Sequence, residues 1–128
     1  MRSGQPILRM ARNRTRGLTL AHEVRMAAGM FSRLCGLLTT PAAAFGPGCG
    51  LWITPSQGVH AIGMRYAIDA LYLDRDLRVV HIEKELRPWR LGAFRVRAAS
   101  VLELPAGAVG RSQTRIGDQI EIRPTGGP

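Results

Sequence analysis

Hydrophobic positions along the chain fall into short alternating segments separated by turn formers, and one segment changes to a helical period. Residues 17–26 set Leu18, Leu20 and Val24 against Thr19, His22, Glu23 and Arg25, the period of two of a half-buried strand. In residues 27–38, Phe31, Leu34, Leu37 and Leu38 follow Met30 by one, four, seven and eight residues, which is one face of a helix; Ser32 lies near its start and Pro41 cannot continue it. Residues 39–50, with two prolines and three glycines, read as a loop. Residues 52–74 then read as strand, turn, strand, a central hairpin: Trp52 and Ile53 close an apolar segment, 55–58 is a cluster of breakers, and 68–73 suits a buried strand. A polar turn at 74–77 leads into 78–83, where Val80 and Ile82 face one side and Val79, His81 and Glu83 the other, so that 68–73 and 78–83 make a second hairpin. Residues 84–97 read as an irregular connection. Residues 98–104 are a strand with Leu102 and Leu104 on one face and Val101 and Glu103 on the other; turns at 105–107 and 117–118 precede a closing strand at 119–122.

Five or six short strands with one helix predict a mainly β, single-domain fold, either a β-sandwich or barrel-like with one short α-helix. No strand–helix alternation points to a parallel sheet. At 128 residues one core is expected. The expected organisation is a basic flexible arm at 1–16, the β domain at 17–122 and a tail at 123–128.

Charge adds one feature to this picture. The net charge of +9 comes from 17 arginines and Lys84 against nine acids, and residues 1–16 hold five arginines and no acid. Such an arm could lie on phosphates, but a solvated terminus is the expected reading, and no aromatic residue is there to stack on bases. The N-terminal apolar stretch is interrupted by arginines, and no apolar run approaches the ~20 residues of a membrane span. A cytoplasmic location and no membrane partner follow as expectations. Cys35 and Cys49 stand outside any C-x-x-C pair and predict neither a disulfide framework nor a zinc site.

Four ordered segments then become specific together: RLCGLL at 33–38, HAIGMRYAID at 60–69 continued by LYLD at 71–74, VLELPAG at 101–107, and the Gly117-Asp118 turn. In these the chain resembles the DUF192 family, small bacterial and archaeal proteins of unknown function, over about residues 18–122. The resemblance implies a compact β-sandwich-like domain with a short helix and no assigned catalytic chemistry. Family members often carry methionine near Leu38, tryptophan or histidine beside the central methionine, and glycine where Leu77 stands. A leucine at positive φ would cost about 1–2 kcal/mol, so a different turn geometry is expected here.

The candidate site is Trp52, His60, Met64, Arg65, Asp69 and Glu103. His60 and Met64 share a face if extended, and the acids are embedded in apolar strands, where desolvation demands a partner such as Arg65 or His60. The bland reading is that Asp69 and Glu103 only tie strands and turns together. As a binding module, Trp52 and Met64 would contact an apolar body while His60 and Arg65 fix polar groups of a small molecule. The alternatives are a hydrolase-like enzyme with His60 as base, oriented by Asp69 or Glu103 and acting with Ser56, and nucleic-acid binding through the basic arm. No G-x-S-x-G or phosphate-loop motif is present, and His60, Met64 and Cys49 lack the fixed spacing of a metal site, so no cofactor and no metal are expected. Oligomeric state is not written in these patterns.

Overall fold

The computed structural model describes residues 8–27, 46–60, 66–88 and 90–125, with 59 and 60 described at the backbone alone. Its strands are β1 (Arg9–Asn13), β2 (Leu18–Ala27), β3 (Cys49–Ile53), β4 (Gly58–His60), β5 (Ile68–Leu73), β6 (Val79–Leu86), β7 (Leu91–Phe94), β8 (Ser100–Pro105) and β9 (Ile120–Pro124), and a short helix α1 (Ala108–Ser112) follows β8. Seven strands form one sheet in the order β6-β5-β8-β3-β2-β1-β9, and β4 pairs with β7 in a separate ribbon. Every pair in the large sheet is antiparallel except β2 with β3, which run parallel and are linked by residues 28–48.

The sheet curls until its two edges meet. Arg78 and Gln119 form an isolated bridge, Val79 N–H donates to Asp118 O at 3.0 Å, and Ile120 N–H donates to Leu77 O at 2.9 Å, joining the start of β6 to the start of β9. The product is a mainly β, single-domain half-barrel, as the strand pattern predicts.

Alternation along the strands divides the buried side chains between two faces. Leu71, Leu73, Leu102 and Leu104 face a core shared with Ala11, Leu20, Val24, Val79, Val109 and Ile120, into which α1 packs. Ile68, Ala70, Tyr72 and Val101 face the other side, with Leu86 and Ala98. All six residues of β5 are buried, which explains its apolar run: it is a central strand covered on both faces. Among the described residues no helix is long and apolar enough to cross a membrane.

Several expectations need correction. Residues 9–13 of the expected flexible arm form β1, hydrogen-bonded between β2 and β9, with Ala11 and Asn13 fully buried. Likewise Arg123 and Pro124 of the expected tail pair with Met10 and Arg9. Residues 52–74 are not one hairpin, because β8 lies between β3 and β5; the 68–73 and 78–83 hairpin is present as β5 and β6. The stretch 84–97, read as irregular, completes β6 and supplies β7. Ala27 ends β2, and the rest of the helix expected at 27–38 lies outside the described residues. Leu77 does adopt φ 63°. Its side chain packs against the first core and its carbonyl accepts the Ile120 N–H, while Asp74 Oδ1 accepts the N–H groups of Asp76 and Arg78 at 2.9 Å each, so the closure of the sheet holds the turn in place.

Candidate functional site

Asp69 is 1% exposed and accepts three backbone hydrogen bonds. Oδ1 takes the Glu85 N–H at 2.8 Å; Oδ2 takes those of Gly107 at 3.1 Å and Val109 at 2.9 Å. Each donor would otherwise be stranded. Glu85 sits at φ 51° where the β5/β6 register shifts, and Gly107 and Val109 belong to the first turn of α1, whose own N-cap residue supplies no side-chain acceptor. Gly107 holds φ 95°, where a side chain is strained. Asp69 therefore caps a helix from a neighbouring strand.

Glu103 is fully buried on the opposite face, between Ala70 of β5 and Leu51 of β3. Trp52 pairs with Leu102 and packs against the first core, the face that carries Asp69, and its Nε1 is buried with no hydrogen-bond partner among the described residues. Backbone pairing places His60 opposite Leu91 on β4, with its side chain outside the described residues, where Met64 and Arg65 also lie. Trp52 and Asp69 thus share one face and Glu103 takes the other. The Ser56 hydroxyl donates to Gly58 O at 2.7 Å within its own turn.

Two further polar clusters are absent from the candidate list. Asp118 Oδ2 accepts from Asn13 Nδ2 at 2.9 Å, Arg16 Nε at 3.0 Å and the Arg115 N–H at 2.9 Å, and Asn13 Nδ2 also reaches Thr114 Oγ1 at 3.0 Å. Burial opposes the charge on Asp118, but the hydrogen bonds from Arg16, Asn13 and Arg115, with the Arg16 charge, outweigh it and hold its pKa below the ordinary carboxylate value. On the other face His81 Nε2 lies 3.1 Å from Glu83 Oε2, which accepts the Ala93 N–H at 2.9 Å; the Tyr72 hydroxyl donates to Ala93 O at 2.6 Å, and its ring meets His81 edge-on at 4.9 Å. Burial again opposes the Glu83 charge, and the His81 and Ala93 hydrogen bonds together with the attraction of His81 and Arg95 lower its pKa. The alternation of 78–83 holds only for His81 and Glu83: a register shift between Tyr72 and Leu73 turns Val79 to the first core with Ile82 and leaves Val80 on the face of His81 and Glu83, against the expected division. The grip of His81 and Glu83 on β7 needed the fold. Among the described residues no group of three His, Cys, Asp or Glu side chains gathers as a metal site would require.

Among the described residues an open concavity with a ligand's dimensions lies elsewhere, between β2 and α1. It is a cleft of about 380 Å³, lined by Leu18, Leu20, Pro47, Pro105 and Ala108 with His22, Arg111, Thr19 and Ser112 as its polar members. Three pieces of chain make it. Strand β2 supplies one wall, Gly48 brings in the segment before β3 by accepting the N–H groups of His22 and Glu23 at 2.8 and 2.9 Å, and α1 supplies the other wall. Arg111 is exposed and forms no salt bridge among the described residues, and its Nη1 would lie 2.7 Å from a Cβ at Gly107. The Ser112 hydroxyl is occupied by Ala108 O at 2.8 Å and Thr114 Oγ1 at 2.7 Å. No local motif joins these residues, which explains why the sequence pattern did not single them out.

The family model DUF192, described as Uncharacterized ACR, matches residues 11–122, which is nearly all of the described sheet. The chain belongs to the DUF192 family. It is similar to a UPF0127 protein of Thermococcus sibiricus, 31% identical over 114 residues that cover 85% of this chain and 71% of the relative. A UPF0127 protein of Pyrococcus horikoshii is 30% identical over 115 residues, covering 85% and 95% respectively. A protein of unknown function from Novosphingobium aromaticivorans has the same fold, with a TM-score of 0.75 at 20% identity over 93% of this chain and 87% of its own. No reaction is assigned to the family. In this DUF192 protein, two of the segments that carry the family resemblance meet directly, since Asp69 caps the turn that begins at Gly107, while a third, the Gly117-Asp118 turn, anchors β1.

Proposed function

We propose that the protein is a small-molecule-binding module whose ligand, an anion with an apolar body, occupies the cleft between β2 and α1. The supporting observation is Arg111 standing without an acidic partner among the described residues beside an apolar floor, in a cleft within the usual range of about 300–1,000 Å³ for ligand sites. A guanidinium pairs with carboxylate or phosphate through two parallel N–H donors, and Leu18, Leu20 and Pro105 would cover the apolar part. His22 offers a second polar contact at the rim. Asp69 serves this module as the clamp that fixes α1, and hence Arg111, against the sheet. A cytoplasmic location belongs to the same reading.

The test is thermal unfolding of the full chain against a panel of carboxylates and phosphate monoesters that includes phenyl phosphate. At least one member should raise the midpoint of the wild type and leave Arg111→Ala unmoved, while the unliganded midpoints agree. Stabilisation that survives intact in Arg111→Ala, or no stabilisation across the panel, would refute the assignment.

A further inference from the structure

From Leu86 to Leu102 the chain carries Arg87, Arg90, Arg95 and Arg97 and no acid. All four arginines are exposed, and none forms a salt bridge among the described residues. Between them stand Leu91, Phe94 and Val96, 72%, 64% and 75% exposed. Exposed apolar side chains are ordinary when scattered and informative when gathered. Here three gather within one ribbon edge and its turn, interleaved with positive charge.

The gathering is not a loose end of chain. Ala93 is gripped through its N–H by Glu83 and through its carbonyl by Tyr72; the Arg95 N–H donates to Gln57 O at 2.8 Å, and Gln57 Nε2 donates to Val96 O at 2.9 Å. The ribbon is thus fastened to the sheet through its inward groups while the apolar side chains face water. A hollow of about 150 Å³ lined by Val80, Arg95, Val96 and Arg97 places two of the arginines around a space suited to a phosphate group.

We propose that this face of the β4–β7 ribbon docks on an anionic lipid surface, with Leu91, Phe94 and Val96 entering the interfacial layer and the flanking arginines meeting headgroup phosphates. Charge complementarity selects an anionic partner. The side-chain types select a bilayer: Leu91 and Val96 are aliphatic and offer no stacking platform to a base, whereas the acyl boundary buries them. A peripheral contact requires no spanning segment, so the missing span behind the expectation of no membrane partner has no bearing on it. The ribbon lies over the face that carries Tyr72, opposite the core into which α1 packs, so docking leaves the ligand cleft open.

The experiment is co-sedimentation of the full chain with vesicles of phosphatidylcholine alone and of phosphatidylcholine mixed with phosphatidylglycerol, beside a titration of labelled single-stranded RNA. The wild type should pellet with the mixed vesicles, not with the neutral ones, and less as salt rises. Leu91→Ser/Phe94→Ser and, separately, Arg90→Gln/Arg95→Gln/Arg97→Gln should each weaken vesicle binding by about tenfold or more at an unchanged thermal midpoint. No pelleting with mixed vesicles, equal pelleting with both kinds, or binding that neither variant weakens would overturn the proposal. RNA binding without vesicle binding would replace the lipid with a nucleic acid and overturn it equally.

Discussion

Leu77 holds a backbone conformation that glycine adopts without penalty, and it keeps a side chain there because that side chain packs into the first core. The two effects oppose each other. The left-handed conformation costs a residue with a Cβ about 1–2 kcal/mol, while half-burying a leucine returns a comparable amount. Truncation separates them. Leu77→Ala loses the packing and keeps the strain, whereas Leu77→Gly loses both, so the glycine variant should be the more stable by about 1 kcal/mol in urea unfolding. That reverses the usual order of alanine over glycine. An alanine variant equal to or more stable than the glycine variant would show that the turn relaxes once the leucine is gone. The sequence comparison marked this position correctly as one suited to glycine. It missed that core packing and the Ile120 hydrogen bond hold leucine in the same geometry.

Among the elements, β5 and β8 were legible because continuous apolar residues in them are buried side chains, and β6 was legible as the partner across a short polar turn although a register shift breaks its alternation. Strand β1 was not, because its two buried positions are Ala11 and Asn13, a small residue and a polar one, within a run of arginines. Its place is secured by Asp118, which binds Asn13 and Arg16 and so ties β1 to the start of β9. The folded-state pKa of Asp118 is lowered, so the stability it contributes is present above the unfolded carboxylate value of about 3.9 and is lost as pH falls through the folded value. Thermal midpoints of wild type and Asp118→Asn should therefore differ most near neutral pH and converge as the solution is acidified below about pH 4. A gap that stays constant down to acid pH would mean that the carboxylate charge is not what holds β1. Helix α1 escaped notice for a different reason: its five residues, with a glycine among them, have weak helix propensity, and it exists because Asp69 caps it and Val109 is buried.

For the molecule as a whole, the antiparallel neighbours β5 and β6 follow from a short turn, but the insertion of β8 between β3 and β5 joins segments far apart in the chain and leaves no local trace. The same holds for the site. Asp69 and Glu103 stood out as acids in apolar strands, and the sheet places them on opposite faces, with Asp69 committed to backbone donors. The cleft proposed for the ligand is built from β2, Gly48 and α1, whose contributions look ordinary until the parallel pairing of β2 with β3 and the cap on α1 bring them together. Mapping the panel member that most raises the thermal midpoint onto the protein, by titrating it into a uniformly ¹⁵N-labelled sample, tests this account most directly. Saturable amide shifts should concentrate at Leu18–His22, Gly48 and Ala108–Ser112 and vanish in Arg111→Ala; shifts centred instead on Tyr72, His81 and Glu83, or unchanged in that variant, would contradict it.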